Sequence, residues 1–128
     1  MVITPRLYSG ATWTVRNHDA FDAEFDALAR EVRIELLALT GLLEEYGPRL
    51  GRPHVDTLAG SKHSNMKELR FRAKGGVWRI AFAFDPARSA IILVAGDKAG
   101  VSQARFYRSL IAKADRRFDE HLLNLGED

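Results

Sequence analysis

Residues 67–84, Lys67-Glu68-Leu69-Arg70-Phe71-Arg72-Ala73-Lys74-Gly75-Gly76-Val77-Trp78-Arg79-Ile80-Ala81-Phe82-Ala83-Phe84, decide the fold. Polar and apolar side chains alternate from Glu68 to Arg72, the two-residue period of a strand with one buried face. Alternation places Glu68, Arg70 and Arg72 on one face and Leu69 and Phe71 on the other. Lys74-Gly75-Gly76 is turn chemistry and Val77 to Phe84 a second strand, so the stretch reads as a β-hairpin. Asp85-Pro86-Ala87-Arg88 predicts the next turn, leading to Ala90-Ile91-Ile92-Leu93-Val94-Ala95. That third strand is apolar on both faces, so it is expected to be central and covered on both sides. Gly96-Asp97-Lys98-Ala99-Gly100 ends it.

Around this core the period changes. Thr12-Trp13-Thr14-Val15 reads as a short strand, after which Phe21, Phe25, Leu28, Val32, Leu36, Leu39, Leu43 and Tyr46 recur at spacings of three and four. They predict one long helix ending at Gly47-Pro48, with Thr40-Gly41 as the place where it would kink or divide into a helical hairpin. Residues 47–66 are rich in glycine, proline and scattered bases and read as a loop. A closing helix is expected from about Gln103 to Leu123, with Tyr107, Ile111, Ala114, Phe118 and Leu122 on its apolar face and Arg105, Arg108 and Arg116 on another. The fold class that follows is α+β: a small, mainly antiparallel sheet packed with helices, in one domain spanning residues 1–128.

The net charge of +2 conceals a partition. Residues 1–46 carry 4 Lys/Arg and 8 Asp/Glu, residues 47–117 carry 15 and 5, and residues 118–128 carry none and 4. A basic block of net +10 inside a near-neutral chain sets up a local positive field suited to phosphate-rich partners. The chain has no cysteine, which excludes disulfides, thiolate metal sites and cysteine nucleophiles. No apolar run of signal-peptide or membrane-span length is present, so a cytoplasmic protein without a membrane partner is expected.

Arg79 is a cation inside an otherwise apolar strand, and its same-face neighbours Ala81 and Ala83 leave room for a ligand. Trp78, Ile80, Phe82 and Phe84 on the opposite face are expected to be core. Arg70, Arg72 and Arg79 then share one concave surface, and Lys98 arrives from the end of the next strand. Fixed donors of this kind suit RNA phosphates and the charge that develops on a phosphorane. The competing reading makes Arg70 and Arg72 solvated residues paired with Glu68 or with carboxylates of the first helix. Lys62 and His63 of the basic loop, Lys74 of the turn, and Arg105 and Arg108 of the last helix are further candidates for RNA contact. His54 and His63 are candidates for proton transfer, and His121 would reach the cleft if the last helix packs beside it. No histidine stands at metal-ligand spacing, and there is neither a nucleophile elbow nor a phosphate-binding glycine loop, so no metal and no cofactor are expected.

The order of elements, together with Lys67-Glu68-Leu69-Arg70-Phe71-Arg72, Trp78-Arg79-Ile80-Ala81-Phe82, Leu93-Val94-Ala95-Gly96-Asp97-Lys98 and Phe106-Tyr107, resembles the RelE/HigB-type toxins of bacterial type II toxin–antitoxin modules, in their phage-derived HigB-like branch. The resemblance runs from about Trp13 to Leu122 and is most specific between Ser61 and Lys98. It implies a RelE-like fold and a metal-independent endoribonuclease that cuts messenger RNA, commonly on the ribosome, by attack of a ribose 2′-hydroxyl on its own phosphate. It also implies a cognate helix-turn-helix antitoxin. By position it implies catalytic roles for Arg70, Arg79, Lys98 and Tyr107, with Arg72 as a further RNA contact. Two other readings stay open at this point: a non-catalytic RNA- or partner-binding module using the same basic face, and a protein whose first helix is an interface. Oligomeric state is left open.

Overall fold

The structure, a computed structural model, describes residues 12–126. The chain runs β1 (Thr14–Asn17), α1 (Asp19–Ala27), α2 (Arg30–Tyr46), a 3-10 turn (Gly47–Arg49), β2 (Val55–Thr57), β3 (Met66–Ala73), β4 (Gly76–Phe84), β5 (Ser89–Asp97) and α3 (Gln103–Gly126). The five strands form one sheet in the order β1-β5-β4-β3-β2, antiparallel except for the β1–β5 pair. The α+β class and the mainly antiparallel sheet expected from the sequence are therefore observed.

Helices cover both faces. Phe106, Leu110, Ala114 and Phe118 of α3 pack on Met66, Ala81, Ala83, Ile91 and Leu93. On the other side Phe21 of α1 and Leu36, Leu39 and Leu43 of α2 pack on Leu69, Ile80, Phe82, Ala90 and Ile92. β5 is thus buried on both faces, as its unbroken apolar run requires.

Ala81 and Ala83 do not leave room for a ligand. Both are wholly buried beneath α3, and their small side chains instead let the helix approach the sheet. The concave surface expected along the whole of β4 is correspondingly confined to the end around Arg79.

The first helical segment breaks at a different place from the one expected. Thr40 and Gly41 lie inside α2, whereas Leu28 and Ala29 are extended, with ψ of 150° and 149°. A continuous helix from Asp19 to Tyr46 would be about 42 Å long at ~1.5 Å per residue. The nine-residue strands beneath it span only about 30 Å. Breaking at Leu28 folds both halves over the sheet, so Phe21 and the α2 leucines reach the same core. Gly47 ends α2 at φ +56°, and a Cβ there would lie 2.3 Å from the indole of Trp13.

Three further boundaries differ. The first strand is paired from Thr14, opposite Ser89, two residues beyond its expected start. Inside the expected loop, Val55–Thr57 forms an edge strand in register with Lys67–Leu69; three residues among glycines and prolines are too few to display a period. The closing helix runs to Gly126.

One buried cation ties the layers together. Arg117 of α3 makes two bonds to the Glu24 carboxylate of α1, at 2.8 and 2.6 Å. It also donates to the Leu93 carbonyl at 2.7 Å. Leu93 is the extra residue where the β4–β5 register shifts, Ala81 facing Val94 and Phe82 facing Ile92, so its carbonyl is free for a side-chain donor. No helix among the described residues is long and apolar enough to cross a membrane.

Candidate active site

Pairing of β3 with β4 puts Arg70 opposite Arg79, and Glu68 lies two residues along the same face. α3 covers the Ala81–Ala83 part of this face. Beyond it the surface opens into a cleft of about 740 Å³, walled by Asp56 and Thr57 of β2, Glu68 and Arg70 of β3, Lys98 after β5, and Gln103, Ala104 and Tyr107 of α3. A volume of this size accommodates one or two nucleotide units.

Arg79 is 7% exposed and held by two bonds. Its Nη1 donates to the Trp78 carbonyl at 2.9 Å and its Nε to the Tyr107 hydroxyl at 3.2 Å. Glu68 is 5% exposed, with its carboxylate oxygens 3.9 Å from Arg79 Nε and 3.8 Å from Arg70 Nε. Those separations are ion pairs without a hydrogen bond, and Glu68 Oε1 and Arg70 Nε have no hydrogen-bond partner. Arg70 also faces Asp56 at 3.6 Å. The Lys98 ammonium lies 5.8 Å from the centre of the Tyr107 ring, within cation–π range.

The protonation equilibria are displaced by this packing. Burial raises the Glu68 pKa, against the opposing pull of the Tyr107 hydroxyl, Arg79 and Arg70. Burial lowers the Lys98 pKa, reinforced by the positive charges of Arg79, Arg70 and Arg72. Burial also raises the Tyr107 pKa. Asp56 moves the other way: its bond from Arg52, helped by the Thr57 N–H, lowers its pKa. The cleft therefore offers two carboxylates of opposite character, a cationic acid made more ready to release its proton, and two guanidinium groups.

The structure brings Arg70, Arg79, Lys98 and Tyr107 together. Arg72 continues the same face, exposed and opposite Val77. Lys74 sits in the hairpin turn, 3.7 Å from Glu31 of α2. Lys62 and His63 lie away from the cleft: both contact Asp119 of α3, His63 at 2.8 Å. Arg105 borders a second, smaller groove of about 310 Å³ with Gly96, Val101, Phe106 and Lys113, and Arg108 is exposed on α3. His121 does not reach the cleft, because its Nε2 is bound to the buried Asp85 carboxylate at 2.7 Å. Among the described residues, no histidine lines the cleft. Among the described residues, no three His, Asp or Glu side chains gather as a metal-binding group.

Glu68, Arg52, Asp56 and Gln103 are cleft residues that the sequence reading did not select. For Glu68 the signal was present, since alternation put it on the face of Arg70 and Arg72. Its burial depends on how α3 and β2 close over that face, which no local pattern records.

Residues 23–119 match the family described as Phage derived protein Gp49-like (DUF891). The chain is 48% identical over 117 residues to the Mycobacterium tuberculosis (strain ATCC 25618 / H37Rv) protein named as toxin HigB2, covering 91% of this chain and 57% of that protein. It thus spans little more than half the length of that relative. It is also 48% identical over 98 residues to the protein named as toxin HigB3 of the same organism, covering 77% of this chain and 83% of HigB3. Among solved structures, a mutant of the E. coli toxin RelE in the free state superposes with a TM-score of 0.58 at 16% identity, over 80% of this chain and 96% of that one. The RelE match establishes the fold alone. With three quarters of its length matched by the family and nearly half of the 98 residues aligned with HigB3 identical, the chain belongs to the Gp49-like family of RelE/HigB-type toxins.

Proposed function

We propose that this chain is the toxin of a toxin–antitoxin module and an endoribonuclease that cuts messenger RNA held on the ribosome. The observation that carries this reading is the meeting of Arg70, Lys98 and Tyr107 around one open cleft, with the buried Arg79 bonded to Tyr107 behind it, in a chain of the HigB-type family.

The chemistry needs a base for the 2′-hydroxyl, cations for the phosphate oxygens and an acid for the leaving 5′-oxygen. Arg70 and Arg79 supply the cations, their guanidinium groups cross-strand neighbours on one rigid sheet face. Lys98 supplies the leaving-group proton, a task favoured by its lowered pKa. Tyr107 orients Arg79 and borders the scissile position. These groups perform the transfer without a metal.

Arg72, Lys74, Arg105 and Arg108 extend the positive surface along which the RNA backbone runs. Lys62 and His63 contribute less to it, since Asp119 already faces both. The ribosome fixes the message in the cleft and so supplies the orientation that a small open site lacks. An antitoxin of the helix-turn-helix kind neutralises the protein in the cell.

The test is induction of the chain without its antitoxin, followed by mapping of message ends, and incubation of purified protein with programmed ribosomes. Growth arrest and fragments bearing a cyclic phosphate and a 5′-hydroxyl are expected. Salt-sensitive ribosome binding without fragments would replace the nuclease with a non-catalytic binding module.

A further inference from the structure

Glu68 is an odd residue to find where it lies. A carboxylate that is 5% exposed ordinarily closes hydrogen bonds to its neighbours, yet here Oε1 has none. Two arginines stand 3.8 and 3.9 Å away, beyond hydrogen-bond reach, and Arg70 Nε is likewise without a partner. The polar edge so left open belongs to the wall of the cleft.

The other carboxylate of the cleft is Asp56. It is bound by Arg52 at 2.7 Å, accepts the Thr57 N–H at 2.9 Å and faces Arg70 at 3.6 Å. Those bonds favour its ionised form and make it a weak proton acceptor. Glu68 has the opposite surroundings: Arg70 on its own strand, Asp56 directly opposite on β2, Arg79 on β4, Tyr107 on α3 and Lys98 after β5, and a burial penalty on its charge that exceeds what these groups return.

We propose that Glu68 is the general base that takes the proton from the attacking 2′-hydroxyl. The inference rests on the endoribonuclease reading above and names the group which that reading leaves unassigned. The 2′-oxygen forms its bond to phosphorus as its proton passes to Glu68. The bond from phosphorus to the 5′-oxygen breaks, and that oxygen takes a proton from the Lys98 ammonium. The products are a 2′,3′-cyclic phosphate and a 5′-hydroxyl; Glu68 is left protonated and Lys98 neutral, and both return to their starting states by exchange with water. Arg70 and Arg79 keep Glu68 ionised in the resting site and move their interaction to the phosphate oxygens as charge builds there.

Glu68→Gln keeps the shape and removes the acceptor. With programmed ribosomes, cleavage by this variant is expected to fall about 100-fold or more, with ribosome affinity and far-UV circular dichroism unchanged. Wild-type cleavage is expected to rise with pH along a limb centred above the ordinary glutamate range, and Glu68→Gln is expected to lose that limb. Glu68→Asp is expected to keep the limb at a reduced rate, which preserves the test should the amide variant fail to fold. A message carrying a bridging 5′-sulfur at the cut site needs no leaving-group acid: it should rescue Lys98→Ala and leave Glu68→Gln slow. Wild-type-like cleavage by Glu68→Gln, an acid limb unchanged in that variant, or its rescue by the sulfur substrate would overturn the assignment while leaving the nuclease intact. Absence of cleavage by the wild type would remove the nuclease reading itself, and the base with it.

Discussion

The Arg79 Nε–H points at the Tyr107 hydroxyl, 3.2 Å away, joining the interior of the sheet to the early part of the closing helix. This bond, with the one to the Trp78 carbonyl, fixes a guanidinium that the flanking apolar residues alone would not orient. Removing the acceptor in Tyr107→Phe is expected to cost about 1 kcal/mol of stability and about tenfold in cleavage. Arg79→Lys keeps the charge but loses the planar fork, and is expected to rescue little activity relative to Arg79→Ala. Ribosome-programmed cleavage assays beside chemical denaturation curves check both.

Arg79→Ala and Lys98→Ala are each expected to abolish growth arrest on induction, with cleavage down about 100-fold. Lys98 is partly exposed, so its loss is expected to leave the melting temperature unchanged. Arg79→Ala is expected to raise the Glu68 pKa further, because one of the cations opposing the burial of Glu68 disappears. Full toxicity in both variants would reject this placement of the active site.

Gly96 faces Arg79 across the β4–β5 pair, beneath the Phe106 ring. A Cβ there would lie 2.8 Å from that ring, so Gly96→Ala must displace the Phe106 ring. Overpacking of this kind costs about 1–3 kcal/mol. Because Tyr107 follows Phe106, cleavage is expected to fall along with stability, and Phe106→Leu in the same chain is expected to recover part of both. Denaturation midpoints and single-turnover rates of the single and double variants test this.

The pair between Arg117 and Glu24 sets an acid-side stability limit. The Arg117 bond, set against burial, lowers the Glu24 pKa on balance. Its contribution is therefore full above the unfolded glutamate value of about 4.3 and is lost as pH falls through the lower folded value. Glu24→Gln is expected to flatten stability against pH in that acid window and to change it little with pH above. Arg117→Ala, which also orphans the Leu93 carbonyl at the bulge, is expected to cost about 2–3 kcal/mol at neutral pH. Urea titrations from pH 3 to pH 7 would read these effects.

Gly41 lies in the interior of α2 with no atom within 4 Å of the position a Cβ would take. Gly41→Ala is expected to stabilise the chain by about 0.5–1 kcal/mol, seen as a higher melting temperature with cleavage unaltered. A helical hairpin divided at Thr40-Gly41 would instead be destabilised by the same change.

The hairpin of β3 and β4 was legible because its residues state a period: Glu68-Leu69-Arg70-Phe71-Arg72 alternates, and Gly75-Gly76 turns the chain. So were the double burial of β5, from Ala90 to Leu93, and the sharing of one sheet face by Arg70 and Arg79. These features rest on local sterics and on the sign of each residue's hydropathy, which neighbouring residues carry among themselves. The break at Leu28, the edge strand at Val55–Thr57 and the attachment of His121 to Asp85 were not legible. Each follows from the length of one element measured against another, or from contact between segments far apart in the chain. Arg70, Arg79 and Lys98 could be named from the sequence because they stand at strand positions and a strand end that alternation marks, whereas Tyr107, on the apolar face of its helix, was named only through the resemblance to RelE/HigB-type toxins. The burial of Glu68 beside them could not be named, since its environment is made by β2, β4 and α3 together. Sequence alone determined which residues face which way; only the tertiary structure decided which of those faces was dry, because burial, and with it the cost of a charge, is a property of the elements that close over a residue.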